Sequence, residues 1–263
     1  MSFNYPTHKD YLREQGERLA QQHTQTAKQV TVVYYTANCE APLFEAKITE
    51  RLQQHAGTLP IISVSQKPMA LGTNICVGDV GMSNLNGFRQ MLIGAEAATT
   101  PYVLFAEADF LYPKEYFEFV PPAPGMYYYD SVWIVHRITR YGRGAFRKKM
   151  SEGARVCDRE SFVRAYDKWL KRWPTWSRTK IDKKCGDPFM FEEHPGRFGG
   201  PPVVSFKSGL GLRYVTHHDK QGVLTLPTWG DIPTLRRTMF DKSENDYYTE
   251  TDLAVKKQIK DRT

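Results

Sequence analysis

Apolar and polar stretches alternate along the first half of the chain in an order that predicts a strand–helix–strand–helix–strand unit. Continuous β-branched and aromatic runs predict strands buried on both faces over residues 29–36, 59–65 and 102–113. Between them, residues 42–57 and 83–100 carry apolar side chains at helical spacing. Because parallel strands need such crossover connections, the order predicts an α/β fold with a Rossmann-like parallel sheet.

After this unit the alternation changes, and the second half of the chain predicts strands, loops and helices in a less regular order. We expect one domain over 1–263, whose second half forms a C-terminal lobe beside a mixed sheet flanked by helices. Its parts are a helical arm (1–28), a first half (29–125), a second half (126–245) and a C-terminal helix or tail (246–263). Within the second half we predict two strands (126–138), a basic loop (139–155), an amphipathic helix (160–173) and a long Pro- and Gly-rich loop (186–202).

The composition is typical of a globular protein, and its net charge indicates the class of its partners. Hydrophobic residues make up 41% and charged residues 25%, which excludes a wholly disordered chain, and the net charge of +7 favours polyanionic partners. Aromatic residues make up 13% of the chain, which is compatible both with a surface that binds sugars or bases and with a hydrophobic core. No apolar run of about 18 residues and no signal-peptide pattern occurs, so we expect a cytoplasmic protein with four widely spaced, reduced cysteines.

Two acids mark the end of the third predicted strand. Open parallel sheets bind ligands at the carboxyl ends of their strands, and Glu107 and Asp109 lie there, two residues apart. If the strand continues through them, both side chains lie on one face and can share a divalent ion. Mg²⁺ and Mn²⁺ prefer such carboxylate oxygens and bridge to substrate phosphates. The alternative is that the strand simply emerges into solvent and its last residues are polar.

The segment SNLNGFRQMLIGAEAATTPYVLFAEADFLYP resembles the core of GT-A fold glycosyltransferases, which carry an Asp-any-Asp motif at the same place. The strings VVYYTANCEAPLFEAKITERL and PIISVSQKP are similar to the donor-binding half of such enzymes. The resemblance covers about residues 30–135 and is greatest to compact phage-type and bacterial members. One departure is that the first acid is Glu107 rather than Asp, so which acid contacts the metal directly stays open.

This resemblance implies a hexosyl- or pentosyltransferase that uses Mn²⁺ or Mg²⁺ and a nucleotide-sugar donor, with UDP as the favoured nucleotide. Residues 29–125 would bind the donor and residues 126–245 the acceptor. The implied metal ligands are Glu107, Asp109 and a late histidine, for which the adjacent His217 and His218 are candidates and His217 is preferred. The residues implied to bind the donor are Tyr35, Thr36, Asn38, Lys67, Asn84, Arg89 and Glu107.

An inverting enzyme also needs a carboxylate base that takes the proton of the acceptor hydroxyl. The loop CGDPFMFEEHPGRFGG offers Asp187, Glu192 and Glu193, and Asp187 is preferred because Gly186 and Pro188 would hold it on a sharp turn. Glu193 is retained as the second candidate. A retaining enzyme would not need this base, and the stereochemistry stays open.

The predicted loop 139–155 interleaves cations with Tyr141 and Phe146, as surfaces that grip a nucleic-acid backbone do. The candidate DNA contacts in it are Arg140, Arg143, Arg147 and Lys148. A second basic block, residues 168–184, contains three tryptophans, and we favour a solvated helix face whose aromatic side packs in the core.

Together with the phage-type resemblance, the basic loop suggests that the acceptor is a hydroxymethylated pyrimidine in double-stranded phage DNA, modified in the host cytoplasm. A saccharide or protein acceptor in surface polysaccharide synthesis is the alternative within the enzyme class. A non-catalytic nucleic-acid-binding module is the alternative outside it. A nucleotidyltransferase is disfavoured because TANCEAPLF lacks the glycines of a phosphate loop.

Overall fold

The computed structural model describes residues 29–139, 142–148, 150–177, 196–208 and 222–249. These residues form thirteen strands, four helices, a 3-10 helix at Lys114–Phe117 and a further helical stretch over residues 242–249. The helices are α1 (Pro42–Ala56), α2 (Asn84–Ala97), α3 (Arg159–Leu170) and α4 (Ile232–Met239). The strands are β1 (Val30–Thr36), β2 (Ile61–Ser65), β3 (Thr73–Cys76), β4 (Tyr102–Glu107), β5 (Phe110–Leu111), β6 (Met126–Tyr129), β7 (Val132–His136), β8 (Ala145–Lys148), β9 (Arg155–Asp158), β10 (Gly196–Phe198), β11 (Val203–Lys207), β12 (Thr225–Leu226) and β13 (Gly230–Asp231).

Seven strands form one mixed sheet in the order β10-β6-β9-β4-β1-β2-β3. All of them run in the same direction except β9, which is antiparallel to both of its neighbours, β4 and β6. The predicted α/β class, a mixed sheet flanked by helices, is therefore confirmed. The edge strand β3 lies between the predicted strand 59–65 and the predicted helix 83–100, where no strand was predicted. Its residues are exposed or half-buried, so they lack the apolar run that predicts a central strand.

Two hydrophobic clusters cover the two faces of this sheet. The side chains of β1 alternate between them, since Val32 and Tyr34 pack on the α1 side while Val33 and Tyr35 pack towards α2 and α3. Helix α1 begins at Pro42, where a missing N–H costs nothing, and ends at Ala56, after which Gly57 caps it with φ 59°. The sheet thus holds the ends of β1, β2 and β4 between two packed layers.

The strand predicted over residues 102–113 is interrupted. β4 ends at Glu107, a turn follows at Ala108 and Asp109, and β5 pairs antiparallel with β11 in a second sheet of order β5-β11-β7-β8. The backbone N–H of Phe206 donates to the Asp109 carbonyl at 2.7 Å, so β11 is hydrogen-bonded to the chain at the second acid. A continuous strand with both acids on one face was therefore the wrong expectation.

The second sheet also contains β8, which pairs antiparallel with β7. This strand lies inside the stretch 139–155 that was predicted to be a loop, and β9 begins at its last residue. The two strands predicted over residues 126–138 are present as β6 and β7, but each joins a different sheet. In the described part of the chain, no helix is both long and apolar enough to cross a membrane.

Candidate active site

The carboxyl ends of three parallel strands meet at one edge of the large sheet. Tyr35 of β1 pairs in register with Glu107 of β4, and Thr36 pairs with Ser65 of β2. Gln90 of α2 fixes this edge from the side, since its buried amide donates to the carbonyls of Thr36 at 2.8 Å and Val64 at 2.9 Å. Ligands bind at such edges in open α/β sheets, which makes this edge the candidate site.

Glu107 is the last residue of β4, and its carboxylate packs against a glycine. A Cβ added to Gly153 would lie 2.5 Å from Glu107 Oε2, so the absence of a side chain there makes room for the acid. The backbone N–H of Glu107 donates to the Tyr112 hydroxyl at 2.9 Å. The pKa of the Glu107 carboxyl is raised to about 7, first by burial and then by the charge of Asp109, against the lowering effect of Lys207 and Lys148.

Asp109 lies on the turn after β4, next to the end of β11. Its Oδ2 lies 3.3 Å from Nζ of Lys207, and the two side chains are 17% and 27% exposed. Its other oxygen, Oδ1, is buried and accepts no hydrogen bond from any described residue. An unsatisfied buried carboxylate oxygen costs free energy, so a ligand that bonds to it gains that energy.

The two acids fit a divalent metal as partial ligands. They supply hard carboxylate oxygens, one of which has no partner, and Mg²⁺ is commonly held by one or two carboxylates together with substrate phosphates. Among the described residues no group of three or more His, Cys, Asp or Glu side chains is arranged to hold a metal ion. The expected third ligand, His217, lies outside the described residues.

The predicted donor residues of β1 and the loop after it lie at this edge. Tyr35 and Thr36 are buried, and burial, followed by the charge of Glu107, raises the pKa of Tyr35. Asn38 has a left-handed φ of 48°, and its Oδ1 accepts hydrogen bonds from the backbone N–H groups of Gln66 at 2.9 Å and Lys67 at 2.8 Å. The Asn38 side chain therefore ties the end of β2 to the end of β1, while Lys67 is exposed.

The predicted donor residues of α2 lie in its first two turns. Asn84 is exposed at the first helical position. Arg89 is directed to the chain that follows α3, where it donates to the carbonyls of Trp173 and Thr175 and lies over the Trp176 ring at 5.3 Å. Arg89 thus links helix α2 to residues 173–176, a set of contacts that its sequence position did not indicate.

Three charged residues near the acids were not predicted at the metal or donor site, although Lys148 was predicted as a DNA contact. Glu40 follows β1, and its pKa is raised to about 7 by burial and then by the charge of Asp109. Lys207 ends β11, and Lys148 donates to Ser151 Oγ at 2.9 Å with its pKa lowered by burial. Lys148 was predicted as a DNA contact because it lies in a basic run. The structure places its amine where the charges of Glu152 and Glu107 act on its pKa.

The basic stretch is divided between surface and interior. Arg143 and Arg147 are exposed, whereas Arg137, which precedes the stretch, and Arg155 are buried. Arg155 lies in an aromatic cage and donates to the Tyr166 hydroxyl at 2.7 Å. Trp169 and Trp173 pack against the α2–α3 cluster, which confirms the core interpretation for these two rings. Arg140 and the candidate bases Asp187 and Glu193 lie outside the described residues.

Comparison with known proteins gives no match to any family model and none to any curated protein. Comparison with solved structures gives similarities with TM-scores below 0.5. The apo form of the glycosyltransferase GlyE from Streptococcus pneumoniae is 11% identical, with a TM-score of 0.43 over 86% of this chain and 64% of that one. The bifunctional IspDF from Campylobacter jejuni is 8% identical, with a TM-score of 0.40 over 65% of this chain and 50% of that one.

A third structure of similar fold contains a ligand. The mannosyltransferase PcManGT from Pyrobaculum calidifontis, in complex with GDP-Man and Mn²⁺, is 13% identical, with a TM-score of 0.38 over 76% of this chain and 66% of that one. The chain spans between half and two thirds of the length of the first two structures, IspDF and GlyE. At these identities and TM-scores, no activity or ligand of those proteins is carried over to this chain.

Proposed function

We propose that the protein is a metal-dependent glycosyltransferase that takes a sugar from a nucleotide-sugar donor. The observation that carries the proposal is the meeting of Glu107 and Asp109 at the shared edge of β1, β2 and β4, where Asp109 keeps one buried carboxylate oxygen without a partner among the described residues. A metal bound there would offset the negative charge that develops on the leaving diphosphate. Residues 29–125 supply the donor side and residues 126–245 the acceptor side.

In this proposal the donor lies along the edge that the strand ends form. Tyr35 and Thr36 form the floor under the nucleoside, and Asn38 acts by holding the backbone at Lys67 in place. Lys67 and Asn84, which are exposed, face the diphosphate and ribose together with Arg89. Ammonium and guanidinium groups suit phosphate, and Arg89 keeps additional donors beyond those it uses on Trp173 and Thr175.

The remaining chemistry is assigned to residues outside the described part of the chain. Asp187, with Glu193 as the second candidate, would take the proton of the acceptor hydroxyl in an inverting reaction. His217 would complete the metal shell. UDP is the nucleotide proposed for the donor. The three residue assignments are tested by Asp187→Asn, Glu193→Gln and His217→Ala in the turnover assay below.

The acceptor proposed is a hydroxymethylated pyrimidine in double-stranded DNA. The exposed guanidinium groups of Arg143 and Arg147 support it, because clustered cations bind the phosphate backbone. Both lie on the chain that forms β8, whose last residue, Lys148, is near the acids. Arg140 would extend the same surface. A DNA strand held there would have a pyrimidine within reach of the donor site if the base is flipped out.

The test is a turnover screen with the full chain, Mn²⁺ or Mg²⁺, a panel of UDP and GDP sugars, and duplex DNA that contains hydroxymethylcytosine or hydroxymethyluracil. Released nucleotide diphosphate and the masses of digested nucleosides are measured. Asp109→Asn should lower turnover by about a hundredfold or more, because a metal contributes several kcal/mol of charge stabilisation in the transition state. Asp167→Asn, which removes an exposed carboxylate on α3, is the matched control.

The outcomes separate the alternatives. A mass gain of one sugar on the nucleoside, lost in Asp109→Asn and retained in Asp167→Asn, supports both the reaction and the DNA acceptor. Release of nucleotide diphosphate without a change in the nucleosides moves the acceptor to saccharides or proteins. No metal-dependent turnover of any donor, with DNA binding that Asp109→Asn leaves intact, would instead identify a nucleic-acid-binding module.

A further inference from the structure

Lys207 is placed beside Asp109 by the backbone of the second sheet. β11 pairs with β5, the N–H of Phe206 donates to the Asp109 carbonyl at 2.7 Å, and the next residue is Lys207. Its Nζ lies 3.3 Å from Asp109 Oδ2. The ammonium group is therefore held against one specific oxygen of the candidate metal site by a hydrogen-bonded ladder.

The surroundings of Lys207 are acidic and largely closed to solvent. Burial opposes its charge, but the carboxylates of Asp109, Glu107 and Glu40 raise the pKa of Lys207, so the amine is charged. Lys148, the other nearby cation, bonds to Ser151 and lies in the field of Glu152. Lys207 is thus the described cation that directly neutralises Asp109.

A divalent ion at Asp109 would compete with this ammonium group. Oδ2 accepts from Lys207 while Oδ1 is open, so a metal that bonds to Asp109 meets a positive charge on the same carboxylate. A metal ion and an ammonium group bound to the same buried carboxylate repel each other strongly. A lysine ammonium on a flexible four-carbon stem can, however, move to a phosphate oxygen when one arrives.

We propose that Lys207 is a positioning residue that couples metal binding to the arrival of the nucleoside diphosphate. Without nucleotide, its ammonium occupies Asp109 Oδ2 and weakens metal binding. With nucleotide, it transfers to a phosphate oxygen and leaves both oxygens of Asp109 to the metal. The inference rests on the proposed function and adds to it that metal and nucleotide bind with positive cooperativity.

The experiment measures Mn²⁺ affinity of the full chain from the electron paramagnetic resonance signal of free Mn²⁺, without nucleotide and with UDP or GDP. In the wild type, nucleotide should tighten Mn²⁺ binding by about tenfold, a typical coupling between two sites. In Lys207→Met, nucleotide-free Mn²⁺ binding should itself tighten by about tenfold, and most of the enhancement by nucleotide should disappear. Lys114→Met removes an exposed cation that pairs with Glu118 and should leave both values unchanged.

The possible failures are distinguishable. If the wild type binds neither Mn²⁺ nor nucleotide, the proposed function and this inference both fall. If both ligands bind but Lys207→Met gives the same nucleotide-free Mn²⁺ affinity as Lys114→Met, the role of Lys207 is refuted while the function stands. If Lys207→Met shows no cooperative unfolding transition, Lys207→Gln is the second variant, because its amide keeps a hydrogen-bond donor for Asp109. Lys207→Gln should also tighten nucleotide-free Mn²⁺ binding.

Discussion

Helix α2 packs against the sheet through a glycine that leaves no room for a methyl group. A Cβ added to Gly94 would lie 2.3 Å from Val33 Cγ1 and 3.2 Å from Val64 Cγ2. Both valines are fully buried in the strands whose ends form the candidate site. Gly87, about two helical turns towards the N-terminus, is a matched control, because its added Cβ meets only Tyr35 Cε2 at 3.8 Å.

The expected energies follow from two opposing effects. Alanine is favoured over glycine inside a helix by about 1 kcal/mol, and this gain applies to both positions. Overpacking a filled core costs about 1–3 kcal/mol, and this loss applies to Gly94 alone. Gly87→Ala should therefore be neutral or stabilised by up to about 1 kcal/mol, and Gly94→Ala should be less stable than Gly87→Ala by about 1–3 kcal/mol.

Urea denaturation followed by tryptophan fluorescence measures both free energies of unfolding. Adding Val33→Ala to Gly94→Ala removes the methyl group in the closest contact, so the double-mutant cycle should show favourable coupling of about 1–3 kcal/mol. Equal midpoints for the two glycine variants, or a cycle with no coupling, would mean that α2 does not lie this close to β1. Such a result would also remove the basis for placing Asn84 and Arg89 beside the strand ends.

Three further predictions follow from the site. Gly153→Ala should displace the Glu107 carboxylate and weaken Mn²⁺ binding in the same resonance assay, with a loss of stability of about 1–3 kcal/mol from overpacking. Folding raises the pKa of the Glu40 carboxyl from 4.5 to about 7, so its contribution to the free energy of unfolding is full below pH 4.5 and is lost as the pH rises towards 7. In urea titrations across that window, the free energy of unfolding of Glu40→Gln should therefore rise by about 3 kcal/mol relative to that of the wild type. Asn38→Ala should be less stable than Asn38→Gly by about 1 kcal/mol, because the alanine Cβ is strained at φ 48° and glycine has no Cβ; equal unfolding midpoints would contradict this.

The large sheet was predictable because its central strands are apolar on both faces. Residues 29–36 and 59–65 form runs that only a buried parallel strand explains, and β1 and β2 lie there. β3 and β8 escaped prediction because their residues are partly exposed and carry no such run. For these edge strands the pairing partner decides the structure, and the partner is not visible in a local pattern.

The candidate site was predictable only as far as it lies at strand ends. Glu107 was placed at the end of a buried strand by the apolar run before it, and the structure puts it there. Lys207 and Glu40 are single charged residues in unremarkable stretches, brought to Asp109 by the pairing of β5 with β11 and by the loop after β1. Contacts between residues about 100 positions apart leave no periodic signal in the sequence.

The break between β4 and β5 determines the electrostatics of the site. An uninterrupted strand would place Glu107 and Asp109 on one face with no cation beside them, and two buried like charges would raise each other's pKa. The turn at Ala108 instead transfers Asp109 to the sheet that carries Lys207, while Glu107 stays on the large sheet against Gly153. One acid is thereby neutralised by a lysine, and the other has its pKa raised to about 7 by burial and the neighbouring charge. In the proposed function, a dication that binds both acids would replace the lysine ammonium at Asp109 and a proton at Glu107.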